Sequence, residues 1–273
     1  MPPSMTEEDR FARRKENLEA IQRFRLMDNP FMGRVFQGDI ELGQLVATVM
    51  TGRDDIAVSS VITEHTLPNL RGRSVRLDIH ASDHGQRDID IEIQRDEKGA
   101  TPKRIRFISA MLDANFLIQR EDFGDLPEQY IFFVTEYDVT GLHRLYVPIE
   151  RRMGNGWVLP FRDDTHAAYI DSSQADDSPL GRLMHDFRCN RAEDMCYPLL
   201  RERVHYYKET KEGVTIMSDY YEELRKKDRE EGEGNIILNM LKEHMHLDAI
   251  EHFSGWTADK IRALAEKNGL AVE

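Results

Sequence analysis

Acidic side chains alternate with apolar ones in VRLDIHASDHGQRDIDIEIQ, residues 75–94. The apolar residues recur with a period of two on both sides of the DHGQR break, which predicts two half-buried strands joined as a hairpin. A one-residue slip in pairing would turn the isoleucines outward, so even positions must stand opposite even positions, for example with Gly85 at the hairpin tip. This register places Asp78 opposite Glu92.

Two carboxylates in this arrangement predict a site for a divalent cation, because opposed side chains in an antiparallel pair have Cβ atoms roughly 5 Å apart. The alternative is a solvated polar face, which amphipathic hairpins usually have. The residue types favour the metal, since acids are poor strand formers and opposed like charges destabilise a sheet. Asp90 shares the polar face, where it is predicted to be a surface acid rather than a support for the ligands.

The elements around the hairpin follow from capping residues and apolar spacing. Asp39 is a predicted N-cap for a helix that ends at Gly52 and carries Glu41 in its first turn. Glu41 is read either as a favourable charge at the positive end of this helix or as a metal ligand. A strand over 56–66, the hairpin, a helix over 102–117 and a buried strand over 130–135 come next. The predicted order is helix, three strands, helix, strand.

The rest of the chain predicts an α/β fold with additions. Further strands are expected at RLYVPIE and HAAYIDS, and helices over 179–208. The predicted divisions are an N-terminal helical segment at 1–27, the α/β domain at 28–220, and a charged linker helix with a small helical tail at 221–273.

Composition limits the possible partners. The chain of 273 residues has a net charge of −13, which disfavours phosphate binding by the molecule as a whole. Residues 71–106 nevertheless hold nine Lys or Arg against seven Asp or Glu. No run of eighteen apolar residues and no apolar leader is present, so a cytoplasmic protein without membrane contact is expected.

The two cysteines and one histidine–aspartate pair are further residue types that could carry chemistry. Cys189 and Cys196 stand seven apart with no second pair, which predicts independent buried thiols rather than a zinc site. His185 and Asp186 are neighbours on a predicted helix and face different ways, so a structural role is expected.

An acid on one strand, an acid and a polar residue two apart on its partner, and a preceding helix with another acid resemble the PD-(D/E)XK nucleases. Over roughly residues 24–220, the longer stretches GRSVRLDIHASD, IDIEIQR, KRIRFISAMLD, LPEQYIFFVTEYD and LGRLMHDFRC are similar to the PD-(D/E)XK nuclease family transposases, relatives of the recombination-promoting nucleases. That group usually has glutamine at the position where other PD-(D/E)XK nucleases have lysine. Gln94 occupies that position here.

The resemblance implies a restriction-endonuclease-like core and DNA cleavage aided by Mg²⁺ or Mn²⁺. Asp78 and Glu92 would bind the metal, with Glu41 as a third ligand. Gln94 would orient water or phosphate, because an amide cannot supply positive charge. Two basic residues of the following helix would hold a DNA phosphate or hydrogen-bond a site carboxylate: Arg104 and Arg106.

The predicted function is therefore a DNA endonuclease of transposition or recombination. Cutting both strands with one site per chain would favour a homodimer. The first alternative is a DNA-binding or partner-binding module that keeps the nuclease fold and cleaves weakly or not at all. A second is an RNA- or nucleotide-directed hydrolase with the same metal chemistry.

Overall fold

The computed structural model describes residues 7–69, 72–84, 86–117, 122–154, 159–174 and 176–272. The chain divides into two compact units, the first ending at Ser218 and the second running from Asp219 to Glu273. Gly85, the predicted hairpin tip, lies outside the described residues.

Helices and strands are numbered in chain order. The helices are α1 (Glu7–Arg23), α2 (Asn29–Phe36), α3 (Ile40–Thr51), α4 (Pro102–Phe116), α5 (Pro179–Arg188), α6 (Pro198–Glu209), α7 (Lys211–Lys242), α8 (Leu247–Ser254) and α9 (Ala258–Lys267). The strands are β1 (Ser60–Leu67), β2 (Val75–Asp83), β3 (Arg87–Gln94), β4 (Glu128–Thr135), β5 (Tyr146–Ile149), β6 (Arg152–Met153), β7 (Leu159–Pro160) and β8 (Thr165–Asp171). Short 3-10 turns occupy Glu97–Gly99, Phe123–Asp125 and Ala192–Asp194.

A mixed six-stranded sheet forms the centre of the first unit, in the order β1-β2-β3-β4-β8-β5. Strands β1, β2 and β3 are antiparallel, whereas β3, β4 and β8 run parallel. Parallel neighbours need a crossover, and α4 supplies it between β3 and β4. The α/β class and the order helix, three strands, helix, strand are confirmed, and β5 and β8 are the two further predicted strands.

Capping residues set the limits of the helices that flank the hairpin. Asp39 accepts a hydrogen bond from the Leu42 amide, and α3 ends at Gly52 in the left-handed conformation at φ 67°. Thr101 caps α4, whose first residue is Pro102. The Asp39 cap, the end at Gly52 and the start at Pro102 agree with the sequence prediction.

Helix α4 covers the polar face of the hairpin. Its residue Ile108 packs in one core with Ile131 and Phe133 of β4. In the β3–β4 register Asp90 stands beside Ile131, and Glu92 beside Phe133. Register partners on neighbouring strands point to the same face of a sheet. The acids of β3 therefore lie under α4.

Helix α3 covers the opposite face. A Cβ on Gly43 would lie 2.3 Å from Val61 Cγ2, so this glycine allows α3 to approach β1 closely. Val61 pairs with Ala81, which pairs with Ile89, so these residues face α3, whereas Val75 and Leu77 at the start of β2 pack in the core with α4. Since helices cover both faces, the prediction of half-buried strands is wrong.

The second unit is helical, as the sequence predicted for the tail. Its core contains one cluster of buried side chains from α7, α8 and α9: Ile237, Leu241, Ile250, Ile261 and Ala265. Within the described part of the chain, no helix combines the length and apolar character needed to cross a membrane.

Candidate active site at the ends of β2 and β3

Asp78 and Glu92 meet where the β2–β3 ladder ends. The last ladder pair is Ile79 with Ile91, and Asp78 and Glu92 are the next residues beyond it on the two strands. The Asp78 amide donates to Glu92 Oε1 at 3.2 Å, and the Ile93 amide donates to Asp78 Oδ2 at 2.8 Å. Each carboxylate thus accepts a hydrogen bond from the backbone of the other strand. The structure brings the two acids together as the register predicted.

Neither acid is on a solvated surface. Asp78 is 8% exposed and Glu92 is 0% exposed, because α4 covers this face. The solvated-face alternative is therefore wrong. Asp90, predicted to be a surface acid, is also 0% exposed, and neither of its carboxylate oxygens has a hydrogen-bond partner among the described residues.

Burial shifts the titration of all three carboxyls in one direction. It raises the pKa of Asp78 to about 6. Burial and then repulsion from Asp78 raise the pKa of Glu92. The pKa of Asp90 is raised well above its ordinary value, by burial first and then by Glu92 and Asp78. Desolvation and like charges both oppose ionisation of these acids, and the nearby Arg104 charge offsets them only in part.

Arg104 is the cation nearest to these acids. Its Nη2 donates to Glu92 Oε2, and its guanidinium lies over the Phe133 ring at 5.5 Å from the centroid. The Arg104 side chain keeps 34% of its surface exposed. Of the two roles predicted for the basic residues of α4, Arg104 takes the hydrogen bond to a site carboxylate. Arg106 is exposed and lines the adjoining cleft.

The cleft beside the acids has a volume of about 1400 Å³ and contains both Asp78 and Gln94 in its wall. Its lining includes seven cationic side chains, Arg73, Arg76, Arg95, Lys98, Lys103, Arg104 and Arg106. Its three acidic residues are Asp28, Asp78 and Asp96. A chain with a net charge of −13 therefore has a cleft whose lining carries excess positive charge. All seven cations belong to the segment 71–106, in which Lys and Arg outnumber Asp and Glu.

Gln94 is held close to the backbone of the next turn. A Cβ on Gly99 would lie 1.9 Å from Gln94 Oε1, so only glycine leaves the amide in its present place. The same Cβ would lie 3.7 Å from Arg104 Nη1. Gly99 thus brings the Gln94 amide and the Arg104 guanidinium to one side of the cleft.

Glu41 does not join the other predicted ligands. Its carboxylate is 73% exposed and forms an ion pair with Arg203 Nη2 at 3.0 Å. The two residues line a different cleft, between the start of α3 and helix α6. The prediction that Glu41 completes the metal site is corrected here: the residue is in the first turn of α3, as predicted, but that turn faces α6.

We found no protein-family model, curated protein or solved structure that matches this chain significantly. The resemblance to PD-(D/E)XK nuclease family transposases therefore stays a prediction from the quoted motifs. Sequence reasoning also missed the burial of Asp90, for which the only sequence signal is its position between two isoleucines.

Proposed function

We propose that this chain is a metal-dependent DNA endonuclease with a restriction-endonuclease-like core. The observation that carries the proposal is a buried pair of acids, Asp78 and Glu92, that adjoins a cleft with seven cationic side chains. An anionic polymer would be attracted to the cleft, and a divalent cation would relieve the repulsion between the acids. The association with transposition or recombination rests on the resemblance alone.

The residues present fit Mg²⁺ or Mn²⁺. The available donors are carboxylate and amide oxygens, which these hard cations prefer. Asp78 uses Oδ2 for the Ile93 amide and has no hydrogen bond at Oδ1 among the described residues. Asp78 and Glu92 would hold the metal, and the buried Asp90 carboxyl beside them has no hydrogen-bond partner among the described residues. When bound, the metal would lower the pKa of a water molecule and polarise the phosphate.

Three residues of the chain itself would orient the reacting groups and bind the DNA. The Gln94 amide has both an acceptor and donors, so it would orient a water molecule or a phosphate oxygen without adding charge. Arg104 would hold Glu92 in position through its direct ion pair. Arg106 would contact DNA phosphates from the cleft wall.

A second function is a DNA-binding module with little or no cleavage, and one observation favours it. The Arg104 guanidinium already supplies Glu92 with a positive charge. With Gln94 in the position where other nucleases have lysine, the site could bind phosphates and still lack an efficient catalytic group.

Nicking of supercoiled plasmid in Mg²⁺, Mn²⁺ or EDTA tests the proposal. The informative variant is Asp78→Asn, which removes charge and keeps an oxygen for the Ile93 amide. The matched control is Glu41→Gln, because that acid is exposed and paired with Arg203 in another cleft. We expect metal-dependent nicking by the parent and the control, and none by Asp78→Asn.

Other outcomes separate the alternatives. Retained DNA binding without nicking by the parent supports the binding module. Nicking that survives Asp78→Asn refutes the proposed site. Preferential inhibition by RNA or free nucleotides, rather than by duplex DNA, would point to the RNA- or nucleotide-directed hydrolase.

A further inference from the structure

A second cluster of metal-binding side chains lies at the end of α5, outside the cleft. His185 and Cys189 are one helical turn apart, and the following loop returns Cys196 to the same histidine. Cys189 Sγ lies 3.6 Å from His185 Nδ1, and Cys196 Sγ lies 3.7 Å from it. Asp186 Oδ1 lies 3.2 Å from the same nitrogen. The prediction of two independent buried thiols is wrong, because both contact one imidazole and Cys196 is exposed.

These separations match those of donors around one tetrahedral zinc ion. With Zn–S near 2.3 Å and Zn–N near 2.0–2.1 Å, tetrahedral angles place sulfur and nitrogen about 3.6 Å apart, and nitrogen and a carboxylate oxygen about 3.3 Å apart. The donor atoms of His185, Asp186 and Cys196 all lie within 4.8 Å of one another. Cys189 is outside that group of three, although its Sγ lies 3.8 Å from His185 Nε2, so its side chain would have to move to become the fourth ligand.

The carboxylate in this cluster is fixed in place. Asp186 is 0% exposed and accepts the Cys196 amide at 2.7 Å on Oδ1 and the Tyr197 amide at 2.8 Å on Oδ2. Each oxygen keeps a second lone pair. Such backbone hydrogen bonds are what orients a metal-binding carboxylate in advance. Asp186 thus anchors the loop and presents Oδ1 beside His185 Nδ1.

We propose that His185, Asp186, Cys189 and Cys196 form a binding site for Zn²⁺ that ties the loop over 189–196 to the end of α5. The set of two sulfurs, one nitrogen and one oxygen suits a borderline-soft cation rather than Mg²⁺. The site is separate from the proposed nuclease centre and does not depend on it.

Metal binding at this site must release protons. A cysteine thiol is ordinarily protonated at neutral pH. Zinc binds the thiolate, and each Cys–Zn bond therefore replaces one S–H bond. With both cysteines as ligands, about two protons leave for each Zn²⁺ bound.

Zinc would also support the packing of α5 against the sheet. Arg188, in the last turn of α5, donates to the Glu136 carbonyl at 2.9 Å and to Ser172 Oγ at 3.2 Å. Lys208 of α6 donates to the carbonyl of Asn190 in the same loop. A cation at the loop would hold these contacts together, which predicts a rise in thermal stability on binding.

Titration of the metal-free chain with Co²⁺ and Zn²⁺ under a non-thiol reductant tests the proposal. The chain has only two cysteines, so a thiolate-to-Co²⁺ charge-transfer band has one possible source. We expect that band, tetrahedral d–d bands, and displacement of one equivalent of Co²⁺ by Zn²⁺. Cys189→Ser and Cys196→Ser should each weaken Zn²⁺ binding at least about tenfold in a chelator competition.

The matched control is His143→Ala. His143 Nδ1 lies 3.2 Å from Asp138 Oδ2, the same separation as in the His185–Asp186 pair, but without the cysteines of the α5 site. This variant and Asp78→Asn, which alters only the proposed nuclease centre, should keep the Co²⁺ spectrum. Absence of the thiolate band, or Cys→Ser variants that bind Zn²⁺ as tightly as the parent, would overturn the site. A failure of nicking alone would leave it intact.

Discussion

Replacement of Asp78 by asparagine should stabilise the metal-free protein even though it removes a proposed ligand. The Asp78 carboxylate is buried against Glu92, and its Oδ2 accepts the Ile93 amide. Asparagine has nearly the same shape and keeps an oxygen acceptor for that amide. The substitution therefore removes the repulsion and the desolvation of a charge without removing the hydrogen bond.

The size of this stabilisation and its pH dependence follow from the pKa shift of the Asp78 carboxyl. The Asp78 pKa rises from 3.8 to about 6, and at 1.36 kcal/mol for each pKa unit an ionised Asp78 costs about 3 kcal/mol of folding free energy. Because the folded state holds the proton more tightly, this cost is absent below about pH 4, grows up to about pH 6 and is complete above it. The stability gain of Asp78→Asn should follow the same course, and relief of Glu92 adds to it.

Urea unfolding followed by circular dichroism in EDTA, at about pH 4 and about pH 7.5, measures this gain. Hydrogen exchange of the β3 amides assigns the transition to the unit that contains the sheet. The control Asp125→Asn changes an exposed acid and should stay within about 0.5 kcal/mol of the parent. Saturating Mn²⁺ should make the parent more stable than Asp78→Asn, because only the parent offers both carboxylates to the metal. A destabilised Asp78→Asn at pH 7.5, or a gain of equal size at both pH values, would refute the reasoning.

Three further predictions concern the neighbours of this pair. Arg104→Ala leaves the buried Glu92 carboxylate unpaired, so we expect the free energy of unfolding in urea to fall by about 3 kcal/mol. Adding Glu92→Gln should restore most of this loss, and no restoration would contradict the ion pair. Gly99→Ala should displace the Gln94 amide and slow nicking about 100-fold with DNA binding retained, whereas normal nicking would exclude a positioning role. Arg106→Ala should lower the salt slope of DNA affinity by about 1 in an anisotropy titration, and an unchanged slope would remove its phosphate contact.

The sequence by itself determined the local elements and their pairing. An apolar period of two fixes the register of β2 and β3, because any one-residue slip would expose a row of isoleucines. Asp39, Gly52 and Thr101 set helix limits through hydrogen bonds within a few residues. These features depend on neighbours in the chain, so Asp78 could be placed beside Glu92 without knowledge of the fold.

Only the tertiary structure decided what surrounds those acids and which side chains from distant segments meet. Alternation separates two faces of a strand and does not say whether a helix covers the second face, so the burial of Asp90 could not be predicted. The partner of Glu41 is Arg203, 162 residues away in the chain. The loop that returns Cys196 to His185 is equally invisible to spacing rules, because its hydrogen bonds to Asp186 form only in the folded chain. Local periodicity therefore predicted the acid pair, whereas helix packing and loop closure determined its burial, its cationic partner and the second cluster.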